Sequence, residues 1–138
     1  MAVDYGTDIS TYRDGDLDRS FTLISGTRVL AEAIARRLET PRGALIGDPN
    51  YGTDIRGWLN KDFVDSEAAL FRLKTAIEDE ASKDERVIGA EATVLYDPAE
   101  KRLRITIAIE GAAGPFDLVL AVSQVRLELL SPSFDLAA

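Results

Sequence analysis

The 138-residue chain contains neither cysteine nor histidine. The absence of cysteine excludes disulfide bonds and thiolate metal sites, and the absence of histidine removes the usual ligands of zinc and haem. Histidine is also the commonest general base of enzymes. We therefore predict no metal site, no cofactor and no catalytic residue.

Long apolar runs are missing as well. The longest uninterrupted one covers residues 118–122, whereas a membrane-spanning helix needs about 20 apolar residues in succession. The first ten residues are acidic and lack the apolar segment of a signal peptide. We expect no membrane partner, and a protein that stays in the cytoplasm where it is made or is assembled there into something larger.

Positive charge is scarce, since 16 lysines and arginines against 24 acids give a net charge of −8. Such a chain repels phosphate backbones, so we do not expect a nucleic-acid partner. Four arginines against two acids fall within residues 21–47, which makes this segment the better site candidate. We expect residues 1–20 to be an acidic mobile leader and residues 21–138 to form a single domain.

One five-residue sequence, Tyr-Gly-Thr-Asp-Ile, occurs twice, at residues 5–9 and at residues 51–55. The 15 residues that follow the two copies share only two identities, which is near chance. We interpret the pair as a recurring turn sequence and not as an internal duplication. The second copy follows a turn-forming Asp-Pro-Asn sequence and is predicted to lead into a short helix.

Two segments have the apolar spacing of an amphipathic helix. The first covers residues 26–39, with Ser25 as its predicted N-cap and Pro41 ending it. The second begins at Asp65 or Ser66, and its acidic C-terminal end opposes the helix dipole, which predicts fraying. Its apolar stripe consists of Ala69, Leu70, Leu73, Ile77 and Ala81.

From Ile88 onward the apolar residues alternate with a period of two, which predicts strands, and a turn at residues 97–100 predicts an antiparallel hairpin. In the last strand the apolar positions change parity after Val122, so we predict a β-bulge or break at Ser123-Gln124. The predicted fold class is α+β, with a helical N-terminal half packed on one face of a mainly antiparallel three-stranded C-terminal sheet.

A three-stranded sheet has open edges, and we expect the last strand to be completed by another chain through β-strand addition. The alternative is that the tail after this strand covers the edge of its own domain. The apolar residues that we assign to strand addition are Leu118, Leu120, Val122, Val125, Leu127 and Leu129.

The run RRLETPRGALIGDPNYG, residues 36–52, resembles the signature of the baseplate wedge and sheath-initiator family of contractile phage tails. This family includes phage baseplate assembly protein W and the matching baseplate component of type VI secretion systems. The resemblance extends from about residue 21 through the last strand. The second Tyr-Gly-Thr-Asp-Ile copy belongs to a turn of this family, and we do not expect the first to do so.

The resemblance implies a structural protein of a contractile tail or injection machine. In the family, the domain lies at the inner ring of the virion tail baseplate, which is assembled in the host bacterial cytoplasm. It contacts wedge proteins around the central tube and offers its sheet to the terminal arms of the first sheath subunits. The implied partners are therefore wedge proteins and sheath subunits, with tube or hub proteins as further ones, and the implied copy number is six.

The resemblance also assigns site residues. The Glu-Pro-Arg element of the family falls on Thr40, Pro41 and Arg42, with Glu39 one residue earlier than the family glutamate, and it implies a wedge contact. For Arg42 we expect bidentate pairing with a partner carboxylate. The alternative is that Arg42 caps the carbonyl groups of the preceding helix. The residues of the family turn are Asp48, Pro49, Tyr51 and Gly52.

Two other functions are open alternatives. Relatives have carried a lysozyme label, but glycoside cleavage needs two carboxylates about 5 to 9.5 Å apart, one of them with a raised pKa. The strand acids Glu91 and Glu110 have no apolar pocket context, so we do not expect a peptidoglycan-degrading muramidase. A generic adaptor domain unrelated to tails is the other alternative, and it predicts covered sheet edges.

Overall fold

The computed structural model describes residues 5–9, 23–55, 58, 66–123 and 127–131. β1 and β2 form a two-stranded antiparallel ribbon, and the remaining strands form one antiparallel sheet in the order β3-β4-β5-β6. The elements in chain order are β1 (Thr7–Ile9), β2 (Leu23–Ser25), α1 (Thr27–Glu39), α2 (Glu67–Ser82), β3 (Val87–Asp97), β4 (Arg102–Gly111), β5 (Gly114–Val122) and β6 (Leu127–Ser131).

Both helices pack on the same face of the sheet, which confirms the predicted α+β class with its helical N-terminal half. Ile55, in the second Tyr-Gly-Thr-Asp-Ile copy, belongs to the same apolar core and has helical backbone, as does Trp58. The largest fully buried side chains of the elements are Leu30, Ile34, Leu38, Leu73, Ile77, Leu103, Ile105, Ile107, Ile109, Leu118 and Leu120. Neither described helix combines the length and the apolar character that a bilayer crossing requires.

α1 agrees with the predicted helix except at its first residue. The N-cap is Gly26, with a φ of 66° that glycine adopts readily, and not Ser25. The C-cap Thr40 is extended, with φ −74° and ψ 127°. A residue before proline is disfavoured in helical conformation, so Pro41 ends the helix as predicted.

α2 begins as predicted, because the side chain of its N-cap Ser66 accepts a hydrogen bond from Ala69 N at 3.4 Å. Its predicted apolar stripe faces the core. α2 ends at Ser82, before the acidic residues Asp84 and Glu85, and its predicted fraying stays a prediction. Asp84 is buried. The side chain of Arg86 binds both oxygens of this carboxylate, at 2.9 and 2.6 Å, and thereby compensates its charge.

β3 and β4 form the predicted hairpin, in which Ala92 lies opposite Ile107. The register shifts between Val87 and Gly89. Because an irregularity of this kind turns a side chain away from its expected face, Ile88 is 70% exposed and does not join the core, contrary to the alternation of the sequence.

The sheet has four strands because the last predicted strand is divided in two. β5 ends at Val122, and β6 pairs antiparallel with it, with Leu127 opposite Val122. The apolar residues on the two sides of the predicted break therefore belong to two antiparallel strands. The predicted break itself falls at Ser123-Gln124, and Gln124, Val125 and Arg126 lie outside the described part of the chain.

The expectation of a mobile leader does not hold for residues 5–9. Tyr5 is buried in the core cluster, and its hydroxyl oxygen accepts a hydrogen bond from Ala113 N at 2.8 Å. The next residues form β1, which pairs with β2. Residues 1–4 and 10–20 of the predicted leader lie outside the described residues.

Candidate functional site

The family-like run, residues 36–52, ends α1 and forms a loop whose two ends are joined. The backbone N–H and the hydroxyl of Thr40 both donate to the carbonyl oxygen of Arg36, at 3.0 and 2.7 Å. The carbonyl oxygen of Thr40 accepts from Asp54 N at 3.0 Å. The chain therefore leaves α1 at Thr40 and returns to the same point at Asp54.

A buried carboxylate lies beneath this loop, because Glu80 of α2 has no exposed surface. Its Oε1 atom accepts hydrogen bonds from Gly52 N at 2.8 Å and from Arg37 Nη1 at 3.1 Å. Its Oε2 atom accepts from Lys83 Nζ at 2.8 Å and lies 3.6 Å from Arg42 Nη2. The carboxylate of Glu80 thus connects α2 to α1 and to the loop.

These donors keep Glu80 charged. Burial by itself raises the pKa of a carboxyl group, but the hydrogen bonds from Lys83, Gly52 and Arg37 outweigh burial and lower the pKa of Glu80. Because several cations and one backbone N–H occupy its two oxygens, the chemistry of this carboxylate is that of a structural ion-pair network.

Arg42 is held by the loop and not by the end of the helix. Its Nε atom donates to the carbonyl oxygen of Gly52 at 3.1 Å, while Thr40 caps the last turn of α1. Its side chain nevertheless remains 58% exposed. Of the other residues assigned to the wedge contact, Pro41 is exposed, and Glu39 and Thr40 are half-buried. The capping alternative is therefore wrong, and the wedge contact stays a prediction.

The predicted family turn packs against the same network. Asp48 accepts hydrogen bonds from Asn50 N at its side chain, at 3.3 Å, and from Tyr51 N at its carbonyl oxygen, at 3.2 Å, which closes a turn across Pro49. The guanidinium of Arg37 lies 4.5 Å from the centroid of the Tyr51 ring. Burial raises the pKa of the Tyr51 phenol.

Gly52 is required by its surroundings. Its φ is 103°, and a Cβ there would overlap the carbonyl oxygen of Thr40 and lie 3.0 Å from the carbonyl carbon. The corresponding Gly6 of the first Tyr-Gly-Thr-Asp-Ile copy also has a positive φ, 85°. The glycine of both copies therefore has a positive φ, although only the second copy adjoins Glu80.

Glu80 itself was missed by the sequence analysis. It lies directly before Ala81 and three residues after Ile77, within the apolar stripe of α2. An acid at such a position is rarely buried without a partner, and this was the available signal. Its partners Arg37 and Gly52 are 43 and 28 residues away in the chain, so the sequence alone did not identify them.

The two edges of the sheet differ. At β3, the N–H of Ala92 donates to Glu78 Oε2 at 2.9 Å, and Lys74 Nζ donates to the same oxygen at 2.7 Å. Burial acts to raise the pKa of Glu78, but these hydrogen bonds outweigh it and lower the pKa. A carboxylate of α2 thus occupies a backbone donor that an added strand would need. Among the described strands, β6 ends the sheet on the other side.

The residues assigned to strand addition are divided between two strands. Leu118, Leu120 and Val122 are fully buried in β5, which pairs with β4 along its length and with β6 over residues 119–122. This half of the assignment is corrected, because β5 is an inner strand. Leu127 and Leu129 belong to the terminal strand β6, while Val125 lies outside the described residues.

No protein-family model matches the chain, and no curated protein is significantly similar to it. Within the described ranges, no group of three or more acidic side chains is arranged to hold a metal ion. The structure offers two candidate interaction surfaces, namely the loop of residues 40–54 above Glu80 and the terminal strand β6.

Proposed function

We propose that this chain is a structural protein of the baseplate of a contractile tail or injection machine, where it joins the inner wedge ring to the first ring of sheath subunits. The resemblance of residues 36–52 to the family supports this proposal. The observation that carries the sheath contact is the asymmetry of the sheet, in which Glu78 occupies the N–H of Ala92 at the β3 edge while β6 is the last described strand on the other side. Six copies per assembly follow from the resemblance.

We assign the wedge contact to the exposed start of the loop. Pro41 fixes the backbone there, and Arg42 extends beside it with 58% of its side chain exposed. An arginine has five N–H donors, and the Nε donor of Arg42 is engaged by Gly52. Its Nη2 atom lies 3.6 Å from Glu80 Oε2, which is too long for a hydrogen bond. The terminal nitrogens therefore keep N–H donors for a carboxylate of a wedge protein, and the arginine is already oriented.

We assign the sheath contact to β6. An extended terminal arm of a sheath subunit would add to the sheet beyond β6 through backbone hydrogen bonds, which is the β-addition mode of recognition. At the opposite edge, an arriving strand would have to displace the Glu78 carboxylate from Ala92 N. This difference directs the added strand to one edge.

The described acids give little support to a muramidase. The buried Glu80 and Asp84 both have lowered pKa values, because hydrogen bonds outweigh the effect of burial. Glu91 and Glu110 are exposed on the sheet. A glycosidase needs a general acid whose pKa is raised in a desolvated pocket. A turbidity assay on bacterial cell walls would refute the proposal if it gave turnover that one Glu or Asp substitution abolished.

Hydrogen exchange tests the sheath contact. The chain is measured alone, with the sheath protein of the same tail, and with that sheath protein lacking its terminal arms. We expect residues 127–131 to gain protection only with the intact sheath protein, and Ala92 to remain unchanged. A generic adaptor would give no gain with either form. Complex formation without protection at residues 127–131 would contradict strand addition at β6.

A further inference from the structure

The loop above Glu80 has an apolar tip. Ile46 is 99% exposed and Leu45 is 45% exposed, although turn and loop positions usually hold glycine, proline and small polar residues. Two adjacent large apolar side chains on a projecting loop are unlike the scattered single ones that any surface carries. No two of the other exposed large apolar residues of the described chain are adjacent in the sequence; these residues are Leu23, Phe71, Ile88 and Leu95.

The backbone presents this tip in a defined conformation. Glycines in the left-handed region lie on both sides of it, Gly43 with a φ of 90° and Gly47 with a φ of 93°. Ala44 N donates to the carbonyl oxygen of Pro41 at 3.0 Å, which closes a turn before the tip. Because Glu80 also holds the end of the loop, binding through the tip requires little further ordering of the chain.

We infer that Leu45 and Ile46 insert into an apolar pocket of a wedge protein, and that Arg42 pairs with a carboxylate at the rim of that pocket. The inference rests on the proposed function, since it takes the partner from there. It assigns the main anchor of the wedge contact to the apolar tip, whereas Arg42 sets the orientation. An apolar anchor with a charged rim is the usual distribution of binding energy at protein interfaces.

The charge of the chain favours a protein over a membrane as the partner. Residues 41–50 carry one cation, Arg42, and one anion, Asp48, so the loop has no net positive charge. The whole chain has a net charge of −8, which opposes approach to an anionic lipid surface. A pocket with a carboxylate rim complements Arg42 without this repulsion.

The test is the affinity of Ile46→Ser for the purified wedge proteins of the same tail. Removing one anchoring isoleucine should weaken binding about 10- to 100-fold. The matched control is Ile88→Ser, which removes a 70% exposed isoleucine on β3 and should change the affinity less than about twofold. Both variants should have the same Tm as the wild type, because neither side chain is buried.

The outcomes separate the inference from the proposed function. If the wild type does not bind the wedge proteins, the proposed function fails, and the inference fails with it. If the wild type binds and Ile46→Ser binds equally well, the tip is not the anchor and only the inference fails. Equal losses for Ile46→Ser and Ile88→Ser would also overturn it, because the effect would not belong to the loop.

Two further measurements test the partner class and the role of Arg42. Phosphatidylglycerol vesicles should not sediment the chain, and sedimentation that Ile46→Ser abolishes would overturn the assignment to a protein partner. Added salt should weaken wedge binding of the wild type more than that of Arg42→Met, since only the wild type retains the rim ion pair. The same salt dependence in both would refute the pairing of Arg42.

Discussion

Replacing Glu80 by glutamine should destabilise the chain strongly. The two oxygens of Glu80 accept hydrogen bonds from Gly52 N, Arg37 and Lys83. Glutamine keeps the shape but has only one acceptor oxygen, and its amide directs N–H donors at one of the cations. Removing one partner of a buried ion pair costs about 3 to 5 kcal/mol. Since glutamine retains part of the network, we expect a loss near the lower limit, about 3 kcal/mol.

Urea denaturation at pH 7, followed by circular dichroism, measures this loss. For a chain of this length, about 3 kcal/mol corresponds to a fall in Tm of roughly 10 °C. The matched control is Asp79→Asn, which removes the same charge from the preceding residue of α2, where the side chain is exposed. It should change the free energy of unfolding by no more than about 0.5 kcal/mol.

A loss below about 1 kcal/mol for Glu80→Gln, or one equal to that of Asp79→Asn, would refute the view that Glu80 holds the loop. If Glu80→Gln does not fold, Lys83→Met provides the test. It removes one partly exposed donor at 2.8 Å from the carboxylate. It should cost about 1 kcal/mol while leaving the fold intact.

Three further predictions concern acid stability, the glycine of the turn and the β3 edge. The folded pKa of Glu80 lies below its ordinary value of 4.5, so the unfolded chain binds more protons in acid than the folded chain. The urea midpoint should therefore fall as the pH drops below about 4.5. A midpoint that is equal at pH 7 and pH 3 would contradict this. Gly52→Ala should lower the free energy of unfolding by about 2 to 4 kcal/mol, because of its positive φ and the overlap of its Cβ with the carbonyl oxygen of Thr40. The control Gly47→Ala, whose Cβ lies in open space, should lower it by about 1 kcal/mol. Equal losses for the two variants would exclude the overlap. Glu78→Gln should speed hydrogen exchange at Ala92 N by weakening its charge-assisted hydrogen bond, and unchanged exchange would mean that this carboxylate does not protect the edge.

Local patterns were sufficient to predict the helices and the central hairpin. The N-cap Ser66 and the proline after Thr40 act on their immediate neighbours, and the turn after Asp97 is closed by its own side chain, which accepts from Ala99 N at 3.0 Å. Each of these signals depends on residues a few positions apart. They could therefore be interpreted without knowledge of the tertiary structure.

The fourth strand was visible only as a change of parity after Val122. A bulge and a four-residue connection to an antiparallel strand both shift the apolar positions to the other parity, so parity alone does not distinguish them. Residues 123–126 between β5 and β6 have the sequence Ser-Gln-Val-Arg, which contains a serine but none of the glycine, proline, asparagine and aspartate residues that also indicate a turn. The second strand of this pair was therefore interpreted as a continuation of the first.

Long-range contacts account for the other differences. Tyr5 follows no apolar periodicity, yet its hydroxyl binds Ala113 N, 108 residues away. Glu80 has the same character, because its donors come from the end of α1 and from the returning loop. The position of Glu80 within the apolar stripe was a local signal, but the identity of its partners and the contact of Tyr5 leave no local pattern. Composition and spacing therefore predicted the helices and the hairpin and not the ion-pair network around Glu80.

α2 connects the loop of the proposed wedge contact to the β3 edge, which lies opposite β6 in the sheet. Glu78 and Glu80 are two residues apart on this helix, yet Glu78 binds Ala92 N at the β3 edge, while Glu80 binds Gly52 N beneath the loop. α2 therefore holds the loop and occupies a donor of the β3 edge through two separate carboxylates. If the chain joins wedge to sheath, substitution of Glu80 should weaken wedge binding by loosening the loop and leave strand addition at β6 intact, whereas substitution of Glu78 should affect only the choice of sheet edge. Losing both contacts from either single substitution in a chain that still melts cooperatively would mean that the two features are not independent.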